Sequence, residues 1–302
     1  MLTPSLKIGE LAKATGININ TLRMWELRYG APYSQKASSG HRRYLPDEVK
    51  RLHLVKLALA SGQKPSRVVA MPTSQLKELI SKPASDLKPT ERLNFRIVDI
   101  FIEHIKKWDE IAFIEACEQE WSAIGPIGFV TDRVSPLLRK IGEDWSDGML
   151  PVASEHFASE VLLNFLAMKW RNLNEKNKGE TIIVSALEGE SHIFGLSMCS
   201  IVLVSAGYRV VYLGASTPNS DIIASAMECK ARAICLSISS YYSEHLAEIK
   251  LNELQQKLPS TLKLIIGGEG APQNISSAIY MNNFRLFYDW LRAGGLEESK
   301  TI

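Results

Sequence analysis

Hydrophobic positions change their rhythm twice along the chain. Near the start, Ile8, Leu11 and Ala12 recur at helical spacing, and Thr15-Gly16 ends that helix. Asn18 is placed to cap a second helix over about Ile19–Tyr29, with Leu22 and Trp25 three apart on its inward face. Pro46-Asp47-Glu48 opens a third helix, in which Val49, Leu52, Val55 and Leu59 keep the same spacing. Pro72, Pro83 and Pro89 then stand among polar residues, which predicts a linker with one helical turn. From Glu91 to about Arg171 the pattern is helical again. Leu93, Ile97, Ile100, Phe101 and Ile105 share one side, and further helices are predicted over 125–144 and 151–171. These residues predict a four-helix bundle.

From residue 180 short apolar runs alternate with helical segments. Strands are predicted at Thr181–Ala186, Arg209–Leu213, Ala233–Ile238 and Lys263–Ile266, with helices at Ile193–Ala206, Asn219–Lys230 and Glu244–Lys257 between them. This alternation implies a doubly wound parallel sheet, which binds ligands beyond the carboxyl ends of its strands. Those loops are 187–192, 214–218, 239–243 and 267–272. The segment "IYMNNFRLFYDWLRAGG" leaves the last strand open.

Length and charge sharpen the division. The 302 residues allow two or three domains. Residues 1–75 hold 12 Lys and Arg against 4 Asp and Glu, and the remainder holds 23 against 29. A basic head on a mildly acidic body points to a polyanionic partner for the head. No apolar stretch reaches the ~18 residues of a membrane span, and the N-terminus lacks a secretory pattern. The four cysteines form no C-x-x-C pair, which fits reduced thiols in the cytoplasm and argues against structural zinc.

In the head, a helix, a Gly-containing turn and a second helix make a helix-turn-helix pattern. Thr21, Arg23 and Arg28 on the second helix are of the types that contact phosphates and base edges. Gly40 permits a hairpin-like turn, after which His41, Arg42, Arg43 and Tyr44 suit a wing lying on the DNA backbone. "TLRMWELRYG", then "GHRRY" and "DEVKRL", closely resemble the winged helix-turn-helix of the MerR family of transcription regulators. Its Trp25-Glu26 pair resembles the branch that carries a cobalamin domain. The resemblance covers residues 5–75 and implies binding to double-stranded operator DNA.

The loop "ALEGESHIFG" places two acids, a glycine and a histidine where the first predicted strand of the sheet hands over to a helix. Such a turn serves a phosphate, catalysis or a metal. The chain has no G-x-G-x-x-G or G-K-[ST] there, and no G-x-S-x-G elbow. Neutral imidazole is a good ligand for cobalt or another transition metal, and Glu190 can accept the other ring N–H of His192. Gly195, Gly267 and Gly268 remove side chains at two strand ends, where a large ligand must approach closely. Glu190-x-His192-x-x-Gly195, "LSIS" with Ser237 and Ser239, and "GGEG" resemble the cobalamin-binding domain. That resemblance implies His192 as the lower axial ligand of cobalt, and a slot for the cofactor's tail beside the Ser and Gly loops. Glu190 stands where many members of the family have Asp.

Trp145, nine residues, then Glu155-His156 match the cap of the CarH/LitR-type light-sensing repressors. The resemblance implies adenosylcobalamin, with Trp145 packed on the adenosyl group, Glu155 on its ribose, and His156 as an upper ligand for cobalt after the adenosyl group leaves. The expected fold is therefore multidomain, α and α/β. It comprises a winged helix-turn-helix (5–75), a linker (76–90), a four-helix bundle (91–175) and a doubly wound, Rossmann-like cobalamin domain (180–298). The expected activity is regulation and not catalysis. The regulator is a cytoplasmic repressor, with no membrane partner, that grips DNA as a dimer or tetramer in the dark and releases it after Co–C photolysis. A cobalamin-level sensor indifferent to light and a cofactor-free regulator governed by a protein partner are the alternatives.

Overall fold

The computed structural model describes residues 6–36, 42–60, 63, 65–81, 89–146 and 149–297. It divides into two units, Met1–Trp108 with Leu137–Phe157, and Asp109–Pro136 with Ala158–Ile302.

In the first unit, α1 (Ile8–Thr15) stops at Gly16, whose φ of 66° is left-handed. Helix α2 (Ile19–Tyr29) starts at Asn18, which accepts the Asn20 N–H at 2.8 Å. Leu22 and Trp25 point inward as expected and join Leu11, Leu52 and Val55 in one buried core. Strands β1 (Ser34–Lys36) and β2 (Arg42–Tyr44) pair antiparallel as the wing. Helix α3 (Pro46–Ala60) carries Arg51, whose guanidinium is buried against Glu48 and also reaches the carbonyls of Val69 and Met71. A short turn of helix, α4 (Pro65–Val68), precedes α5 (Thr73–Ser81). The latter occupies residues that composition suggested as linker. Leu76 and Leu79, three apart, explain it: Leu76 is fully buried in the head core and Leu79 packs against that core.

The helical segment consists of α6 (Pro89–Lys106), α7 (Glu110–Phe129), a π-helical turn (Val130–Val134), α8 (Ser135–Ser146) and α9 (Val152–Asn174). The buried stripe of α6 is Val98, Phe101, Ile102 and Ile105, whereas Leu93 and Ile100 face solvent. The stripe therefore lies partly around the helix from the expected one. Helix α7 breaks at Gly125 (φ 71°, ψ 173°), and Pro126 starts the next run, as the boundary at 125 anticipated.

The second unit holds β3 (Thr181–Leu187), α10 (Phe194–Ser205), β4 (Arg209–Thr217), α11 (Asn219–Glu228), β5 (Ala233–Ser237), α12 (Glu244–Lys257), β6 (Lys263–Gly267), β7 (Ile279–Met281) and α13 (Phe284–Arg292). The strands lie in the order β4-β3-β5-β6-β7, every pair parallel, which is the doubly wound arrangement. Ile182 to Leu187 are all buried, as a central parallel strand requires. Strand β7 is the one that the pattern left open. Cys199 and Cys235 meet in the core with sulfurs 3.1 Å apart, and Cys117 is buried, while Cys229 is exposed. Among the described residues no helix is long and apolar enough to cross a membrane.

Candidate cofactor and DNA sites

The chain leaves β3 for β4 on one side and then returns to β5 on the other. The loops following β3 and β5 therefore meet at the point where the strand order reverses. Gly189 turns the first loop with φ 85°, and its N–H donates to Ser216 Oγ at 2.9 Å. The Ser216 N–H in turn donates to the Glu190 carbonyl at 3.0 Å. Glu190 is 1% exposed. Its Oε1 accepts the His192 N–H at 2.9 Å and its Oε2 accepts the Ser239 N–H at 2.8 Å. Burial pushes this carboxyl up, but the two backbone N–H groups and the His192 and Ser239 side chains outweigh it and hold it below its ordinary value.

The same Oε1 lies 2.7 Å from His192 Nδ1, and Ser239 Oγ lies 3.1 Å from that nitrogen. A carboxylate can only accept, so Nδ1 carries a proton, and in the neutral ring Nε2 keeps its lone pair. The His192 side chain is half-exposed. The ring is therefore oriented by Glu190 and still reachable from solvent, as a ligand to an incoming metal must be.

Sequence reasoning missed the residues that brace this loop. Tyr241 stacks on the His192 ring, with centroids 4.9 Å apart and planes 17° from parallel. Tyr242 Oη donates to the Glu188 carbonyl at 2.7 Å, and Lys250 Nζ reaches the Glu188 carboxylate at 2.7 Å. The doublet of tyrosines following "SISS" was the available signal.

The glycines do something more local than the sequence suggested. A Cβ on Gly195 would lie 2.1 Å from Ser237 Oγ. On Gly267 it would meet the Met281 carbonyl at 2.3 Å, and on Gly268 the Ile238 carbonyl at 2.1 Å. These positions admit the protein's own backbone and one serine hydroxyl. Gly268 also needs its φ of 100°.

Trp145, Glu155 and His156 belong to the first unit. Trp145 is 46% exposed near the end of α8. Glu155 lies in the first turn of α9 and His156 follows it, with His156 Nε2 3.5 Å from the Glu155 carboxylate.

In the head, Arg23 and Arg28 are exposed on α2, as a DNA-reading surface requires. Arg42 is exposed and Arg43 half-buried on the wing. Two assignments need correction. Thr21 and Tyr44 are 3% and 1% exposed, so both are packed in the core and present nothing to DNA. His41 lies outside the described residues. Glu26 gathers the wing. It accepts from Ser34 Oγ at 2.9 Å, from Tyr44 Oη at 3.4 Å and from Arg42 at 2.6 Å.

The family model for "MerR HTH family regulatory protein" matches residues 6–71, and that for "B12 binding domain" matches residues 97–168. The chain joins a MerR-type helix-turn-helix to a B12 binding domain. The second match falls on α6 to α9. The MerR-type chain is 24% identical over 98% of its length to the whole of the HTH-type transcriptional repressor CarH of Myxococcus xanthus. To the repressor CarA of the same organism it is 26% identical over 90% of each chain. The monomethylamine corrinoid protein of Methanosarcina barkeri shares the fold over 68% of this chain and 99% of its own, with a TM-score of 0.53 and 18% identity.

Proposed function

We propose that the protein is a cytoplasmic, light-responsive transcriptional repressor that carries adenosylcobalamin and grips double-stranded operator DNA as an oligomer in the dark. The observation that carries this reading is His192, with Nδ1 tied to a buried carboxylate and Nε2 free to donate. One imidazole suits a metal that arrives with its other ligands already in place, as cobalt does in a corrin. The relatives named as repressors, and the MerR-type head, support regulation over catalysis.

In this reading Glu190 fixes the imidazole plane and raises its basicity, and Ser239 steadies both. Trp145, Glu155 and His156 take the upper-face roles that the resemblance to CarH/LitR-type repressors implies. When bound, adenosylcobalamin supplies a Co–C bond that green light breaks. Heads that act together hold DNA far more tightly than single heads, whose phosphate contacts are weak at physiological salt.

A second reading, a regulator that keeps the fold without the cofactor, is favoured by the glycines whose room is filled by Ser237 and neighbouring backbone. One measurement separates the two. The protein is mixed with adenosylcobalamin, desalted in the dark, and its absorbance recorded before and after green light. Retained colour that changes on illumination, together with DNA release at constant cofactor, is the expected result. Retained colour with unchanged DNA binding in light leaves a cobalamin-level sensor. A colourless protein overturns the cofactor reading.

A further inference from the structure

Leu27 is 80% exposed, the highest value of any large apolar side chain among the described residues. It lies on α2, the second helix of the helix-turn-helix, where an unsupported leucine in water is a cost. Its helical neighbours explain the company it keeps. Met24, Arg23 and Asn20 lie three, four and seven residues before it, Arg28 lies four beyond Met24, and all four are exposed on this side of the helix. The opposite side is spent on the core through Thr21, Leu22 and Trp25. The exposed face is thus an apolar pair, Met24 and Leu27, set between two guanidinium groups.

A protein or lipid surface would suit the apolar pair, but the head that carries it holds 12 basic against 4 acidic residues over positions 1–75. Glu26, the acid nearest this face, is turned to the wing and paired with Arg42. The partner must therefore be a polyanion that also offers an apolar group at the depth a helix reaches. In the DNA major groove the apolar group on a base edge is the 5-methyl of thymine, and arginine suits the O6 and N7 of guanine.

We infer that Leu27, with Met24 beside it, reads thymine methyl groups, and that the operator places thymine next to guanine under the centre of α2. This rests on the DNA-binding reading of the head and adds the chemistry of its target. Leu27 touches no core, so its replacement leaves the fold intact.

The test uses the full chain, kept in the dark with adenosylcobalamin. A binding duplex is recovered from a random-sequence pool and resynthesised with deoxyuridine for each thymine, which removes the methyl groups and keeps every base pair. Affinity for the deoxyuridine duplex is expected to fall about fourfold for each contacted methyl. Leu27→Ala is expected to bind the two duplexes within a factor of two of each other. Equal binding of both duplexes by the parent protein overturns the proposal. So does a Leu27→Ala protein that loses as much as the parent, because the methyl effect then comes from DNA shape and not from this face. Failure to enrich any duplex removes the DNA-binding reading, and the proposal with it.

Discussion

Two nearly buried carboxylates, Glu190 on the sheet rim and Glu26 in the head, hold a working side chain by different means. Glu190 is fixed by the backbone N–H groups of His192 and Ser239. Those donors move only if the strand ends move. Among the described residues Glu26 is held by side chains alone, Ser34, Tyr44 and Arg42. Side-chain donors rotate at little cost, and Arg42 itself is 62% exposed. The difference suits the tasks proposed for His192 and Arg42. A metal ligand needs one direction, whereas an arginine that meets a phosphate needs reach. Were Arg42 to leave for a phosphate, as the proposed function has it, Ser34 and Tyr44 would still satisfy the carboxylate.

The sharpest break of this comparison is Glu190→Ala, which strips two partly buried N–H groups of their acceptor. Each such loss costs about 1–3 kcal/mol, so a fall of ~3 kcal/mol is expected in urea unfolding. A fall below ~1 kcal/mol would mean that the backbone does not depend on this carboxylate. Glu190→Gln is gentler and should weaken retention of added cobalamin by about 10–100-fold, read by spectral titration. In the head, Arg42→Ala should cost under ~1 kcal/mol of stability, as exposed pairs do. It should nevertheless flatten the salt dependence of binding to a mixed-sequence duplex by about 0.9 in slope. An unchanged slope would leave Arg42 on Glu26 in the complex.

The smallest effect is expected from Tyr44→Phe. Burial first, and then the Glu26 carboxylate, push the Tyr44 phenol above its usual value of 10.0. A group with a raised folded pKa contributes stability that is complete below the unfolded pKa and is lost as pH rises through the folded one. The Phe variant should differ from the parent by ~0.5 kcal/mol near neutral pH, and its loss of stability above about pH 10 should be shallower.

What the sequence made legible follows from range. Asn18, Leu22 and Trp25 were readable because caps and helix faces are local. Glu190 and His192 were readable because they are two residues apart. The partners of Glu26 lie 8 to 18 residues away, and Ser239 lies 49 from Glu190, so no periodicity could reveal them. Strand β7 has three residues, too few for an alternation. Thr21 and Tyr44 were misplaced because residue type alone suggested contact, while their neighbours in space decide burial. Leu76 and Leu79 were passed over because three prolines nearby read as linker.

The thiols carry a practical consequence. Burial pushes Cys117 up to about 12, and Cys199 is raised by its thiol hydrogen bond with Cys235 and by burial. Thiolates attack maleimides, so Cys117 and Cys199 will react slowly at neutral pH, and buried Cys235 is shielded from the reagent. Cys229, exposed just beyond α11, is then the natural attachment point for a dye. One further cysteine engineered into the head would make the chain a molecular ruler, read by resonance energy transfer in the dark and under lamps of chosen colour, without removing a single native sulfur.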